Sequence, residues 1–135
     1  METDSGSKTT KKLRITTRFV NLKINLQQHA WQPPTDLYET EDEYTIRIEI
    51  AGMKEDDFTV NYSDRIITVF GKRKQINPKC AYHRLEIPYG EFTTSIQLPE
   101  NINIKQTVAE YENGFLTITI PKTKPVDILI QPSEE

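Results

Sequence analysis

The residues of this chain with the most obvious ligating or nucleophilic chemistry are few. His29 and His83 are the only histidines and Cys80 is the only cysteine among 135 residues. A metal site needs His, Cys or carboxylate ligands at consistent spacing. The Cys80/His83 pair supplies two at most, with no second pair, so no metal is expected. A nucleophilic cysteine needs an activating base and an oxyanion hole. In an extended segment the spacing of His83 from Cys80 puts the two side chains on opposite faces, and Cys80 reads as a passive loop thiol. The serines lack a nucleophile-elbow context. Gly52, Gly71, Gly90 and Gly114 stand singly, as turn glycines, with no phosphate-binding loop among them. Two acidic runs, Glu39/Glu41/Asp42/Glu43 and Glu55/Asp56/Asp57, lack the spaced ligands and central glycine of a calcium loop and read as solvated turns. Lys72-Arg73-Lys74 is too short to hold nucleic acid; lysines that protect an edge strand are the better explanation. No cofactor, no metal and no catalytic centre are expected, so the chain does not read as an enzyme.

The C-terminal tail carries a different chemistry, that of docking. Ile128-Leu129-Ile130 puts two isoleucines on one side of an extended segment, between Pro125 and Pro132. Prolines pre-extend a chain and lower the entropy lost on binding. An extended peptide of this kind adds to a sheet edge, with backbone bonds for affinity and pockets for alternate side chains. The same residues also suit a last strand of the chain's own sheet. Against that, a strand already ends at Pro121, and Lys122-Thr123-Lys124 looks like a tether.

The elements that must present such a tail read as strands. Tyr44, Ile46, Ile48 and Ile50 alternate with Thr45, Arg47 and Glu49, as in a half-buried strand. Phe58, Val60 and Tyr62 alternate in the same way, and Ser63-Asp64 turns the chain into Ile66–Phe70. Phe92, Thr94, Ile96 and Leu98 form another run, stopped by Pro99. Asn113-Gly114 separates Thr107–Glu112 from Phe115–Ile120, and this dipeptide between two such runs is a strong hairpin signal. Short strands with frequent turns and little helical periodicity predict an all-β sandwich. Lys72–Tyr89 is a long connection carrying Tyr82, Leu85, Ile87 and Tyr89, and a loop of that length is usually functional.

Composition sets the frame. Hydrophobic residues make up 36% of the chain, which fits one core with polar termini. Three parts are expected: an N-terminal arm over 1–32, polar and disordered to Lys12 and apolar from Leu13, a β-sandwich over 33–122, and a tail over 123–135. Residues 1–30 hold six Lys/Arg against two acidic residues, and the remainder eleven against eighteen. The basic arm lacks a dense cluster interleaved with aromatics, so nucleic acid is not an expected partner. No apolar run approaches the ~18 residues of a membrane span, and no signal-peptide pattern follows Met1. With one cysteine, a reducing compartment, the cytoplasm, is expected.

These residues also resemble a known family. Ala109-Glu110-Tyr111-Glu112-Asn113-Gly114-Phe115-Leu116, followed by Thr117–Lys122, is similar to the A-x-x-x-N-G-x-L signature of the α-crystallin domain of small heat-shock proteins; Ala109, Asn113, Gly114 and Leu116 are its signature hairpin. Pro33–Glu39 looks like that domain's first strand. Ile50–Met53, Phe58–Val60 and Ile96–Pro99 follow in the expected order, and Ile128-Leu129-Ile130 is similar to the C-terminal I-x-I motif. The resemblance covers roughly residues 33–130. It implies an immunoglobulin-like β-sandwich with a flexible arm and tail. It implies a chaperone that holds partly unfolded client proteins without ATP, as a homodimer building to higher oligomers.

The bacterial, archaeal and plant type of the family implies a strand in the long loop near Ala81–Glu86. There Tyr82, His83, Arg84 and Leu85 would dock beside Leu37 and Tyr38 of a partner subunit. The tail isoleucines Ile128 and Ile130 would enter a groove between strands Phe58–Tyr62 and Ile104–Tyr111, lined by Phe58, Val60 and Val108. Gln106 occupies that second strand where a hydrophobe is expected. The arm residues Phe19, Val20, Leu22 and Trp31 would contact clients; the arm is shorter and more polar than in many relatives. A rival expectation is a monomeric, co-chaperone-like sandwich that docks one defined partner, a fold that needs neither the long loop nor the tail motif.

Overall fold

A computed structural model describes residues 30–77 and 79–123. Its strands run in chain order as β1 (Thr35–Glu39), β2 (Glu43–Glu49), β3 (Phe58–Ser63), β4 (Ile66–Arg73), β5 (Gly90–Gln97), β6 (Val108–Glu112) and β7 (Phe115–Pro121). They form two antiparallel sheets, one ordered β1-β2-β7-β6 and the other β3-β4-β5. Two short 3-10 turns, Glu55–Asp57 and Ile104–Gln106, lead into β3 and toward β6.

The alternation in the sequence becomes an inner and an outer face. Ile46 and Ile48 of β2 lie opposite Ile118 and Leu116 of β7, and all four are fully buried. Phe58 and Val60 of β3, Ile67 and Val69 of β4, and Phe92 of β5 face them from the other sheet as part of one core. The outer faces carry threonines and charges, with the guanidinium carbon of Arg47 3.9 Å from the centre of the Phe115 ring. The turn between β6 and β7 forms at Asn113 and Gly114, whose φ values of 53° and 81° are those of a tight hairpin turn. A second tight turn joins β3 to β4 at Asp64 and Arg65, also with positive φ.

Four expectations are corrected by this architecture. Lys72 and Arg73 end β4, the central strand of its sheet, so they protect no edge. Gly71 is inside β4 rather than in a turn; a Cβ there would lie inside contact distance of the Asp57 carbonyl and 2.8 Å from Phe92 Cζ. Ile104–Gln106 is a 3-10 turn, and the strand proper begins at Val108, so Gln106 leaves the ladder and is exposed. Asn103 starts this turn by accepting from the Lys105 amide at 3.1 Å, local bonding that competes with extension of the strand. Finally, Trp31 is joined to the sandwich rather than to a separate arm: its amide donates to the Glu91 carbonyl and its carbonyl accepts from Thr93, both at 3.0 Å.

Gly71→Ala is expected to destabilise the domain by about 2–3 kcal/mol, because the Asp57 backbone and a buried ring must both give way. Urea denaturation monitored by far-UV circular dichroism measures this. A loss below ~0.5 kcal/mol, the range of ordinary surface changes, would contradict the packing described.

Candidate functional site

The surfaces that can recognise other chains are strand edges, since each sheet ends in strands with unpaired backbone. β1 is one such edge, pairing with β2 alone. Leu37 and Tyr38 on it are 38% and 49% exposed. Asp36 and Glu39 flank them, and Glu41, Asp42 and Glu43 follow, which makes this edge acidic.

The long connection from Lys74 to Tyr89 contains no strand among its described residues. Tyr82, Leu85, Ile87 and Tyr89 are exposed on it. Together with Ala51, Gly52 and Arg73 they border a cavity of about 410 Å³. Lys74, Lys79 and Arg84 give the segment a basic character opposed only by Glu86. Within one chain the structure therefore leaves Tyr82, His83, Arg84 and Leu85 unpaired with β1. Cys80 is exposed in the same connection, its thiol 3.0 Å from the Asn77 carbonyl.

The second pair of edges is β3 and β6, one from each sheet. Tyrosines tie the two at either end. The Tyr111 ring lies 5.0 Å from the Phe58 ring. Its hydroxyl donates to the Ile50 carbonyl at 2.7 Å and accepts from the Met53 amide at 3.3 Å. At the other end the Tyr62 hydroxyl accepts from the Ile102 amide at 3.3 Å. Between them Phe58 and Val60 point into the core, and Val108 is half-buried at the start of β6. The sequence reading missed both tyrosines as anchors. The signal was available: a tyrosine on an inward-facing position of an edge strand needs a partner for its hydroxyl.

The root of the tail is held as well. The Lys122 amide donates to the Asp42 carbonyl at 2.8 Å, and its ammonium is 2.7 Å from Glu39 Oε2 and 5.1 Å from the centre of the Tyr44 ring. The Tyr44 hydroxyl donates to Glu100 at 2.9 Å. Burial, with the neighbouring Glu100, raises the Tyr44 phenol above its ordinary 10.0. The hydrogen bond to Glu39 raises Lys122 above 10.5. Ile128 and Ile130 of the tail, and Phe19, Val20, Leu22 and His29 of the arm, lie outside the described residues.

Trp31 and Arg73 complete the picture. The Arg73 guanidinium carbon sits 4.4 Å from the centre of the Trp31 ring, which itself packs 5.7 Å from the Phe92 ring. Among the described residues no group of three or more His, Cys, Asp or Glu gathers in a way that holds a metal, and no helix is long and apolar enough to cross a membrane.

These features define the class: a two-sheet antiparallel β-sandwich with an open acidic edge and a long basic loop. The profile of the Hsp20/alpha crystallin family matches residues 36–132, and the chain belongs to that family. It is 39% identical over 92 residues to small heat shock protein C2 of Rickettsia felis, covering 67% of this chain and 60% of that one. It is 34% identical over 90 residues to a 22.7 kDa class IV heat shock protein of Pisum sativum, covering 64% and 46%. The chain thus spans about half to three-fifths of the length of these relatives. Among solved structures, heat shock protein 16.0 of Schizosaccharomyces pombe superposes with a TM-score of 0.64 at 25% identity, covering 77% of this chain and 98% of that one. A small heat-shock protein of Xylella fastidiosa gives 0.63 at 26%, covering 76% and 98%.

Both raised groups, Tyr44 and Lys122, hold their protons more tightly in the folded state. Their contribution is therefore complete below the unfolded values of 10.0 and 10.5 and is lost as pH rises through the folded ones. Urea midpoints at about pH 8 and about pH 11 are expected to fall steeply for the native chain and less steeply for Tyr44→Phe, which itself costs about 1 kcal/mol at the lower pH. Equal slopes for the two would remove Tyr44 from this account.

Proposed function

We propose that this protein is an ATP-independent holding chaperone, acting in the cytoplasm, whose dimers build larger assemblies and keep partly unfolded proteins from aggregating. The observation that carries this reading is the mismatch within one subunit. β1 offers an unpaired edge bearing Leu37 and Tyr38, while Tyr82, His83, Arg84 and Leu85 lie in a loop without a strand partner of its own. Exposed apolar side chains and an open edge are a standing cost that a second copy removes for both subunits at once. The opposite charges of the two segments favour that pairing. Membership of the family supports the chaperone role, and the Xylella relative is described as having a distinct high order structure.

The tail supplies the next level of assembly. Ile128 and Ile130 enter the slot between β3 and β6, where Phe58, Val60 and Val108 form or border the floor. Full burial of two isoleucines contributes ~3–6 kcal/mol before the cost of ordering the tail is subtracted. One tail is a weak latch, and many tails in a symmetric assembly hold through effective concentration while each still exchanges. Client proteins bind to the apolar arm, with Phe19, Val20 and Leu22 in contact and Trp31 at its root. In this reading the arm ends before Trp31, the sandwich runs from Trp31 to Lys122, and the tail follows. The signature hairpin around Ala109, Asn113, Gly114 and Leu116 is the structural support of β6 rather than a contact surface. The net charge of −3 and the lack of a dense basic cluster argue against nucleic acid as a partner.

The decisive experiment is light scattering from a heat-aggregating client, without nucleotide, at rising amounts of this protein. Suppression near equimolar amounts is expected. Unchanged scattering over all temperatures would overturn the holding role and favour a monomeric module for one partner. The double change Ile128→Ser with Ile130→Ser is expected to reduce particle mass in sedimentation to that of a dimer. A particle of unaltered mass would remove the tail from assembly.

A further inference from the structure

Arg73 stands where three separate parts of the chain meet. Its Nε donates to the Pro88 carbonyl at 2.9 Å, and one terminal nitrogen reaches the same oxygen. The other terminal nitrogen donates to the Ala51 carbonyl at 3.3 Å, at the end of β2. The guanidinium lies over the Trp31 ring, and partial burial lowers its pKa from the ordinary value. Five fixed donors and a flat face make all three contacts available at once, which a lysine ammonium does not offer.

The geometry of Trp31 gives the arrangement direction. Trp31 bridges Phe92 in parallel, so Ala30 lies toward the Gly90 end of β5. That is the end at which the long loop joins the strand. Pro88 lies two positions after Glu86, the last residue of the segment assigned above to a partner's edge. A pull on that segment therefore reaches the Pro88 carbonyl. Arg73 then follows the carbonyl or loses it, and either movement changes its stacking on Trp31.

We infer that Arg73 is a positioning residue that couples the root of the N-terminal arm at Trp31 to the exchange of the long loop between subunits. The inference rests on the proposed loop-mediated dimer. In the lone subunit Arg73 holds the loop base and the arm root together. When the loop crosses to a partner, the hold on Trp31 loosens and its ring becomes accessible. Linkage makes the effect reciprocal: a Trp31 free of Arg73 eases loop exchange.

Trp31 is the only tryptophan, so its emission reports on this one place. The full chain is diluted through its dimer–monomer transition while sedimentation and Trp31 emission, with acrylamide quenching, are followed together. The expected result is a quenching change with the same midpoint as association, Trp31 being more accessible in the dimer. In Arg73→Lys, quenching is expected to be high at every concentration and the dimer to persist to dilutions at least about fivefold greater, the low end of ordinary coupling between two sites. Circular dichroism reports whether the variant is folded, and the native dilution series stands alone if it is not. Association with constant quenching in the native chain overturns the coupling and leaves the dimer intact. An Arg73→Lys series that repeats the native one overturns it too. A chain that stays monomeric at every concentration overturns both the coupling and the loop-mediated dimer.

Discussion

The contact between the two inner faces is the interaction on which the rest of the molecule depends. Strand ladders run within each sheet, and the sheets are joined by side chains: Ile46, Ile48, Leu116 and Ile118 from one, Phe58, Val60, Ile67, Val69 and Phe92 from the other. Each fully buried side chain contributes ~1.5–3 kcal/mol, and close packing makes the sum sensitive to single atoms. Gly71 is the extreme case, since Phe92 reaches across the position where a side chain would stand. A sandwich joined in this way leaves the outer strands of both sheets with backbone groups that no strand of the same chain satisfies. Recognition by strand edges is a consequence of the core rather than an addition to it.

The edges are not left alike. β5 is covered in part by Trp31, through two backbone hydrogen bonds and a ring contact with Phe92. β3 and β6 are spanned at their ends by Tyr111 and Tyr62, which hold the sheets at a set separation while leaving the middle of the slot to Val108 and its neighbours. β1 pairs with β2 alone; its side chains are tied at the two ends, Thr35 to Thr94 at 2.9 Å and Glu39 to Lys122 at 2.7 Å, and Leu37 and Tyr38 stand exposed between them. The differences rank the edges by how much a newcomer gains. An extended segment on β1 acquires a full ladder, whereas the ends of the β3/β6 pair are already occupied by the two tyrosines.

Much of this was legible in the sequence because period-two alternation reports burial directly. Tyr44–Ile50 and Phe58–Tyr62 were visible as strands, and Asn113-Gly114 announced its hairpin through the need for positive φ. What stayed hidden was whatever depends on contacts distant along the chain. Gly71 looks like any turn glycine until Phe92 and Asp57 are placed beside it. Arg73 looks like part of a solvated basic run until Trp31, Ala51 and Pro88 converge on it. The pattern placed this strand at Thr107–Glu112, within one residue of β6; only the resemblance carried it back to Ile104, where Asn103 instead diverts the backbone into a turn. For the loop 74–89 the sequence gives length and apolar content, and the single chain gives no ladder for it.

The distribution of charge and anchoring separates the open edges from the source of the fold's strength. The tail leaves the sandwich at Lys122, whose ammonium is tied to Glu39 of β1 and whose amide is tied to Asp42. The open edge of β1 and the root of the tail at Lys122 therefore share one acidic corner. Exposed ion pairs of this kind contribute little individually and are screened by salt, so neither attachment is made rigid by the other. Strength resides in the buried inner faces. The open edges lie outside them, so an attachment made through an edge draws on backbone groups and exposed side chains and leaves the inner faces packed.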